Sequence, residues 1–578
     1  MCGIFGLIDF NQPIDRKLFK TATDSLSHRG LDDSGYYFDK NNPIALGHRR
    51  LSILDTSPLG HQPMFDKSGR YGVIFNGEIY NYPDLKKRLQ NQYNFKGNSD
   101  TEILIAGFIH WGIDYLVNII NGIYAFSIID LEKHEVFLVR DLNGIKPLYF
   151  LQKNGQLMWG SEIKSLKAYE NQLTIDNTAV YDFLTYGYIP RPKSYYKEIK
   201  QVEPASYMHW SFNDLENPKS VKYYSFTPFE IQKSISNEDA QFEFKRLISK
   251  SVEEQLISDV PVGFFLSGGI DSSIITYEAS KFRQPLDTYS IGFDVSEYSE
   301  TVFARIIAEQ IKSNHHEKIV SEKDALDLIN LFPTWFDEPF SDTSAMPTYI
   351  VSQFAKQNST VVLTGDGGDE LFGGYNWYQH FYSDFKQPLP YNSFKKWAIS
   401  HKKDANFIGK IARRLYPFFR NEYEFYVELM NGLIHSELDE YNSILAIPKD
   451  YDPYWYIKQF DEPDLPIRTR FQWIDFNTYL IDDILKKVDR TSMANSLEAR
   501  VPFLTKSIIN FAFSLPENVR FQNNMLKGIL REAYADVFPD EITKRGKRGF
   551  SIPQHKWGNL FDSKQKRPKL IFDRFYRD

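Results

Sequence analysis

The sequence predicts two units in tandem. An α+β unit covers about residues 1–210, a connection covers about 211–237, and an α/β unit with a parallel sheet runs over 238–578. Three observations carry this. At 578 residues the chain is too long for a single hydrophobic core. Its first part alternates short apolar runs with Gly, Asn and Asp turns. From about Glu238 the text changes to helical stretches alternating with buried apolar strands, the pattern of a parallel sheet covered on both faces.

Taken in order, Tyr71 to Phe75, Gly122 to Asp130, Val136 to Arg140 and Pro147 to Leu151 read as strands, and Tyr82 to Gln92 and Thr101 to Trp111 as helices. The stretch from Pro190 to Ser236 is rich in Tyr, Ser, Pro and Asn without sustained periodicity, which marks extended connections and a boundary. Beyond it, Asp239 to Ser258, Ile274 to Phe282 and Ser299 to Lys312 read as helices. Val260 to Leu266, Thr288 to Phe293 and Thr360 to Leu363 read as strands. No internal repeat or low-complexity tract interrupts the chain.

Composition narrows the function. Hydrophobic residues at 42% and aromatics at 16% supply apolar surface for folding without staples. A net charge of -7 gives no broad footprint for nucleic acid or an anionic membrane. The run Lys544, Arg545, Lys547, Arg548 and the segment from Lys564 to Lys569 read as a solvated face and tail. No window approaches the roughly 18 apolar residues that span a bilayer, and the start of the chain lacks a basic n-region, so a cytoplasmic protein is expected. The one cysteine is Cys2, which rules out a disulfide within the chain.

The position of that cysteine gives it chemistry. Methionine before a small residue is ordinarily removed, so Cys2 is expected to open the mature chain with a thiol and a free α-amine on one residue. An α-amine titrates near pH 8 and can act as general base for the adjacent thiol. Further along, Ser267-Gly268-Gly269-Ile270-Asp271-Ser272-Ser273 joins a buried strand to a helix. It places two glycines, three hydroxyls and a carboxylate where backbone N–H groups and the helix dipole attract phosphate. It lacks the Gly-Lys-Ser/Thr of a P-loop. After the next strand, Thr364-Gly365-Asp366-Gly367-Gly368-Asp369-Glu370 clusters hard oxygen ligands suited to Mg²⁺ shared with phosphates.

These pieces carry a family resemblance. Cys2-Gly3-Ile4-Phe5-Gly6, His28-Arg29-Gly30-Leu31-Asp32-Asp33, Gly47-His48-Arg49-Arg50-Leu51-Ser52-Ile53, Phe75-Asn76-Gly77-Glu78-Ile79-Tyr80-Asn81 and Ser99-Asp100-Thr101-Glu102 resemble the N-terminal-nucleophile (Ntn) glutamine amidotransferases. Leu31 departs from their proline. The Ser267 to Ser273 loop resembles that of the ATP pyrophosphatases. Lys487-Val488-Asp489-Arg490-Thr491-Ser492-Met493-Ala494, running into Leu497-Glu498-Ala499-Arg500-Val501-Pro502-Phe503-Leu504, resembles the synthetase domain of the glutamine-hydrolysing asparagine synthetases. The fold implied is an α+β Ntn glutaminase sandwich followed by an α/β ATP-pyrophosphatase domain.

The resemblance also implies roles. Cys2 is the nucleophile, Asn76 and Gly77 form the oxyanion hole, Arg50 takes the glutamine carboxylate, and Glu78 and Asp100 take its ammonium. Leu266 and Ile291 flank the nucleotide base, while Ser267, Gly268, Gly269, Ser272, Ser273, Thr364 and Gly365 hold ATP. Asp271 and Asp369 hold Mg²⁺. Asp366 stands where the well-studied synthetases carry glutamate and Arg490 where they carry lysine, and both count among the catalytic groups, Arg490 neutralising phosphate charge. Expected partners are small molecules: glutamine, ATP, and aspartate or another carboxylate. Nucleic acid and membrane are not expected, and a homodimer is left open.

The acceptor is the least constrained element. Asp366, the Asp337 to Tyr349 segment and Thr505 all depart from the common asparagine synthetase pattern. A related amidotransferase acting on a sugar uronate for surface polysaccharide is the alternative enzyme. An inactive glutamine-binding paralogue is the alternative of another class.

Overall fold

The computed structural model describes residues 2–227, 234–329, 331–383, 394, 397–398, 401, 406–546, 549–550, 553 and 566–575. Met1, residues 228–233 of the expected connection, Lys547, Arg548 and Lys564 lie outside the described residues.

Two six-stranded antiparallel sheets form the first unit. One has the spatial order Ile199–Gln201, Tyr149–Lys153, Gln156–Gly160, Gly3–Asp9, Ile44–Arg50, Asp33–Phe38. The other runs Asp214–Lys222, Ser206–Ser211, Glu135–Arg140, Gly122–Asp130, Tyr71–Ile79, Met64–Phe65. Alternate side chains explain why the strands read as unbroken apolar runs. Ile4 and Ile8 turn inward to meet Ile74, Ala125 and Ile129 of the facing sheet. Phe5 and Leu7 turn outward under the helices Arg16–Asp24 and Ile163–Tyr169. Val73 and Phe75 likewise lie under Tyr82–Leu89 and Thr101–Ile119. Two sheets face to face with helices on both outer surfaces bury both faces of every central strand.

Thr101–Ile119 qualifies by length and composition as a membrane span, contrary to the sequence expectation. Its side chains Ile103, Leu104, Ile105, Leu116 and Val117 instead pack into the sheet, as a core helix does. Gly112, at φ 73°, breaks it into two segments, which is why the sequence pattern ended at Trp111.

The second unit is a five-stranded parallel sheet, ordered Asn314–Val320, Asp287–Phe293, Val262–Phe265, Val361–Leu363, Glu498–Arg500. The chain fills one side from Val262–Phe265 outward, then returns to fill the other. The strand order therefore reverses between Val262–Phe265 and Val361–Leu363, and such a switch point opens a crevice at the strand carboxyl ends. The first and last strands of this order went unread in the sequence. Asn314–Val320 is polar and largely half-exposed as an edge, and Glu498–Arg500 buries two charged side chains.

The two units share a core. Leu51, Ile53, Tyr80 and Ile123 join the cluster of Val262, Phe264, Ile274 and Phe503. Helix Asn177–Tyr186 packs with Ile291, Phe336 and Val427 of the second unit. The second antiparallel sheet continues to Lys222, inside the stretch read as a connection, because Asp214–Lys222 is a mostly exposed edge strand without the alternation that flags a strand.

Candidate active site

Cys2 heads the strand Gly3–Asp9 and is buried. Its backbone N–H donates to Asn76 Oδ1 at 2.9 Å, leaving Asn76 Nδ2 buried and without a partner. A buried amide donor that stays unsatisfied is costly unless a ligand uses it. Its neighbour Gly77 has φ 157°, and a Cβ there would lie 2.1 Å from the Ile123 carbonyl oxygen, so only glycine fits. Burial pushes the Cys2 thiol up, while a hydrogen bond from the Leu51 N–H and the nearby Arg50 charge pull it back down. Arg50 is fastened beneath the loop that follows it, donating to the carbonyls of Ser57 at 3.1 Å and Asp55 at 2.5 Å.

Glu78 and Asp100 are both buried side by side, with Glu78 Oε2 unpartnered. Burial and the mutual repulsion of the two raise Glu78 well above the usual carboxylate range. Burial pushes Asp100 up to about 6, although it accepts from the Ile79 N–H at 2.9 Å. Arg500, from the second unit's last strand, stands 4.0 Å from Glu78. The six residues expected to handle glutamine thus converge on one place. Leu31, the departure from the motif, is exposed on the surface.

The second site is a cavity of about 510 Å³ at the switch point of the parallel sheet. Leu266, Ser267, Gly269, Asp271, Ser272, Ile291, Thr364, Gly365, Asp366 and Asp369 all lie on its wall. Leu266 and Ile291 form an apolar slot beside Phe265, Phe293 and Val351. The motif loop is wound tightly: Ser267 and Ser272 hydroxyls lie 3.1 Å apart, and the Gly269 N–H donates to Ser267 Oγ at 3.2 Å. The helix Ile270–Ser280 starts four residues before the expected Ile274, which puts Asp271 in its first turn.

Gly268 and Ser273 do not reach the wall. Gly268, at φ 71°, lets the loop press on Phe303, where a Cβ would sit 2.5 Å from its backbone. Ser273 is wholly buried behind the helix.

Asp271 and Asp369 converge on one cation, the Lys527 ammonium, which contacts the first and lies 2.6 Å from the second. Two acidic side chains gathered around one positive charge suit Mg²⁺. Among the described residues no group of three or more His, Cys, Asp or Glu side chains gathers as a metal site. Asp366 Oδ2 accepts from Thr364 Oγ1 at 2.7 Å.

Arg490 requires a correction. It does not face the cavity but is buried against the first unit, with Glu162 at 2.9 Å, Asp337 at 3.6 Å and the Tyr149 hydroxyl at 3.3 Å. Lys487, three residues earlier, lines the cavity and pairs with Asp342 at 3.2 Å. Lys487 and Arg490 stand nearly a turn apart along the helix and differ by about 60° around its axis, and the motif spacing alone did not say which of the two looks into the cavity. Sequence reasoning also missed Lys527 and Arg531, and read Arg545 as part of a solvated run. All three line the cavity. Nor is the start of the last helix a free tail: Lys566 pairs with Glu437 at 2.6 Å, and Arg567 donates to Thr343 Oγ1 at 3.2 Å.

Helix Lys486–Met493 touches both sites. Lys487 faces the cavity, while Asp489 takes two hydrogen bonds from Arg29, at 2.8 and 3.0 Å. Arg29 in turn donates to the Cys2 carbonyl at 3.1 Å.

Comparison with known proteins agrees with this geometry. The family model for asparagine synthase matches residues 243–568, and that for a glutamine amidotransferase domain matches residues 1–224. Asparagine synthetase [glutamine-hydrolyzing] 1 of Bacillus subtilis is 32% identical, over 96% of this chain and 88% of its own length. Asparagine synthetase [glutamine-hydrolyzing] 3 of the same organism is 29% identical over the same shares. Amidase chry2 of Gibberella zeae is 26% identical over 96% of this chain and 90% of its own length.

Proposed function

Because the chain belongs to the family of glutamine-hydrolysing asparagine synthetases, we propose that it makes asparagine from aspartate, spending ATP and taking nitrogen from glutamine, with the residues described above in the following roles. The observation that carries this reading is the pairing of a buried cysteine at an unsatisfied amide donor with a cavity of about 510 Å³ lined by both glycine-rich loops, across one shared helix.

At the first site, the α-amine of the processed chain takes the Cys2 thiol proton and the sulfur attacks the glutamine side-chain carbonyl. Asn76 Nδ2 and the Gly77 N–H stabilise the oxyanion, and the α-ammonium returns its proton to the leaving ammonia. Water then hydrolyses the thioester to glutamate. Arg50 holds the substrate carboxylate, and Glu78 with Asp100 holds its ammonium.

At the second site, Leu266 and Ile291 enclose the base, and Ser267, Gly269 and Ser272 meet the phosphates at the helix N-terminus. Asp271 and Asp369 would hold Mg²⁺, which when bound offsets the phosphate charge. Lys487, Lys527, Arg531 and Arg545 add fixed positive charge around the departing pyrophosphate. The aspartate side chain attacks the α-phosphate, pyrophosphate leaves, and ammonia displaces AMP from the acyl adenylate. Asp366 accepts the proton that the attacking ammonia sheds. We further propose that residues 1–210 and 238–578 divide the two half-reactions, with ammonia crossing inside their shared core, since in bulk water at neutral pH it is mostly protonated and inert.

The test compares nitrogen sources. Cys2→Ala should abolish asparagine formation from glutamine while leaving synthesis from ammonium salts intact. Equal loss of both would defeat the two-site reading, and the absence of aspartate-dependent pyrophosphate release would defeat the choice of acceptor.

A further inference from the structure

Helix Phe407–Leu415 is mounted the wrong way round for a surface helix. Its small residues Gly409 and Ala412, with Tyr416 beyond its end, are buried against the body of the protein. Its bulky ones face out. Phe407 is 75% exposed, and Ile408, Ile411 and Leu415 follow on the same face, with Phe418 continuing the stripe in the next turn. A contiguous apolar stripe of this kind is a contact surface and not scatter.

Charge identifies the partner. Lys410 and Arg414 are exposed and stand three residues after Phe407 and Ile411, so they form a basic row along one edge of the stripe. Residues 394–420 carry eight Lys and Arg against one Asp, in a chain whose overall charge is -7. The whole-chain balance therefore conceals a local reversal of sign. An exposed helix with aromatic and aliphatic side chains on one face and cations beside them has the chemistry of an interfacial helix lying on anionic lipid.

We infer that this face docks the enzyme peripherally on a membrane surface rich in anionic lipid, the apolar stripe entering the headgroup boundary and the basic row meeting the phosphates. A second copy of the chain fits less well. A two-fold pairing through this stripe would bring like rows of Lys410 and Arg414 together. The inference is independent of the substrate assignment, since none of these residues lines the nucleotide cavity or touches the glutamine site.

Co-sedimentation of the full chain with vesicles tests it, using phosphatidylcholine alone and with a third phosphatidylglycerol. Binding is expected only to the anionic vesicles and should fall as salt rises. Lys410→Gln and Arg414→Gln should each weaken it by about fivefold, the usual worth of one basic side chain near such a surface. The double variant Phe407→Ser/Ile411→Ser should abolish it while glutaminase and pyrophosphate-release rates stay at the parental value. Absence of binding, equal binding to both vesicle types, or binding that survives these substitutions overturns the proposal. So does a dimer, seen by light scattering, that the Phe407→Ser/Ile411→Ser variant dissolves, because the face would then belong to a second copy.

Discussion

Glu78 and Asp100 are the residues whose environment says most about what they wait for. Burial raises both carboxyls, Asp100 to about 6 and Glu78 well above the usual carboxylate range with the neighbouring Asp100 charge adding to it, so near pH 6 the pair holds a proton that isolated carboxylates would lose. An incoming ammonium supplies the missing positive charge, lowers both values and expels that proton. Calorimetric titration of glutamine into the Cys2→Ala variant at pH 6 should therefore show proton release, read from the dependence of the binding heat on buffer ionisation enthalpy. Asp100→Asn should reduce that release, and a buffer-independent heat in the Cys2→Ala variant alone would contradict the assignment. Asn76 makes a second residue-scale prediction. Its Nδ2 is free because its carbonyl is already engaged by the Cys2 N–H. Asn76→Ala should slow glutamine hydrolysis by about 10²–10³-fold, with ammonia-dependent synthesis unchanged. All three residues were legible in the sequence through their motifs. The donor's orientation was not, because it depends on a contact across 74 positions.

Helix Lys486–Met493 shows how an element divides its faces between two tasks. Lys487 looks into the nucleotide cavity, and Arg490 is sealed among Glu162, Asp337 and Tyr149. Substitution should separate the two. Lys487→Ala should reduce pyrophosphate release at a smaller cost in stability than Arg490→Ala, because Asp342 keeps its hydrogen bonds from the Ser344 N–H and hydroxyl when its cation is lost. Arg490→Ala leaves buried carboxylates without their cation and should cost about 3–5 kcal/mol of stability, measured by denaturant unfolding. If Arg490→Ala instead proved stable and impaired only pyrophosphate release, the facing assigned to this helix would be wrong. The same lesson applies to the loop before Ile270–Ser280. Its residues were readable as a phosphate cradle, yet Ser273 is turned away from the cavity by the helix starting four residues early. Residue types reveal the purpose of a loop; which side chains line it follows from helical phase, which neighbouring packing sets.

The whole molecule is one body with two chemistries. A single hydrophobic cluster runs from Leu51 and Tyr80 to Phe264 and Phe503, and Arg29 ties Asp489 and Glu162 to the Cys2 carbonyl. The sites should nonetheless respond separately to metal. Chelating Mg²⁺ is expected to stop pyrophosphate release and leave glutamine hydrolysis running, and parallel loss of both activities would argue that one site controls the other. The division into an α+β unit and a parallel α/β unit, the central buried strands, the leading cysteine, the oxyanion motif and the two glycine-rich loops were determined by the sequence, because periodicity and motif chemistry are local properties of the chain. Which cations reach the nucleotide cavity, how Arg490 is spent on the interface, that helix Asn177–Tyr186 joins the second unit, and that Phe407–Leu415 shows its apolar face to solvent were decided only by tertiary structure. Each depends on which face of an element meets a neighbour distant in the chain, and no local pattern encodes that meeting.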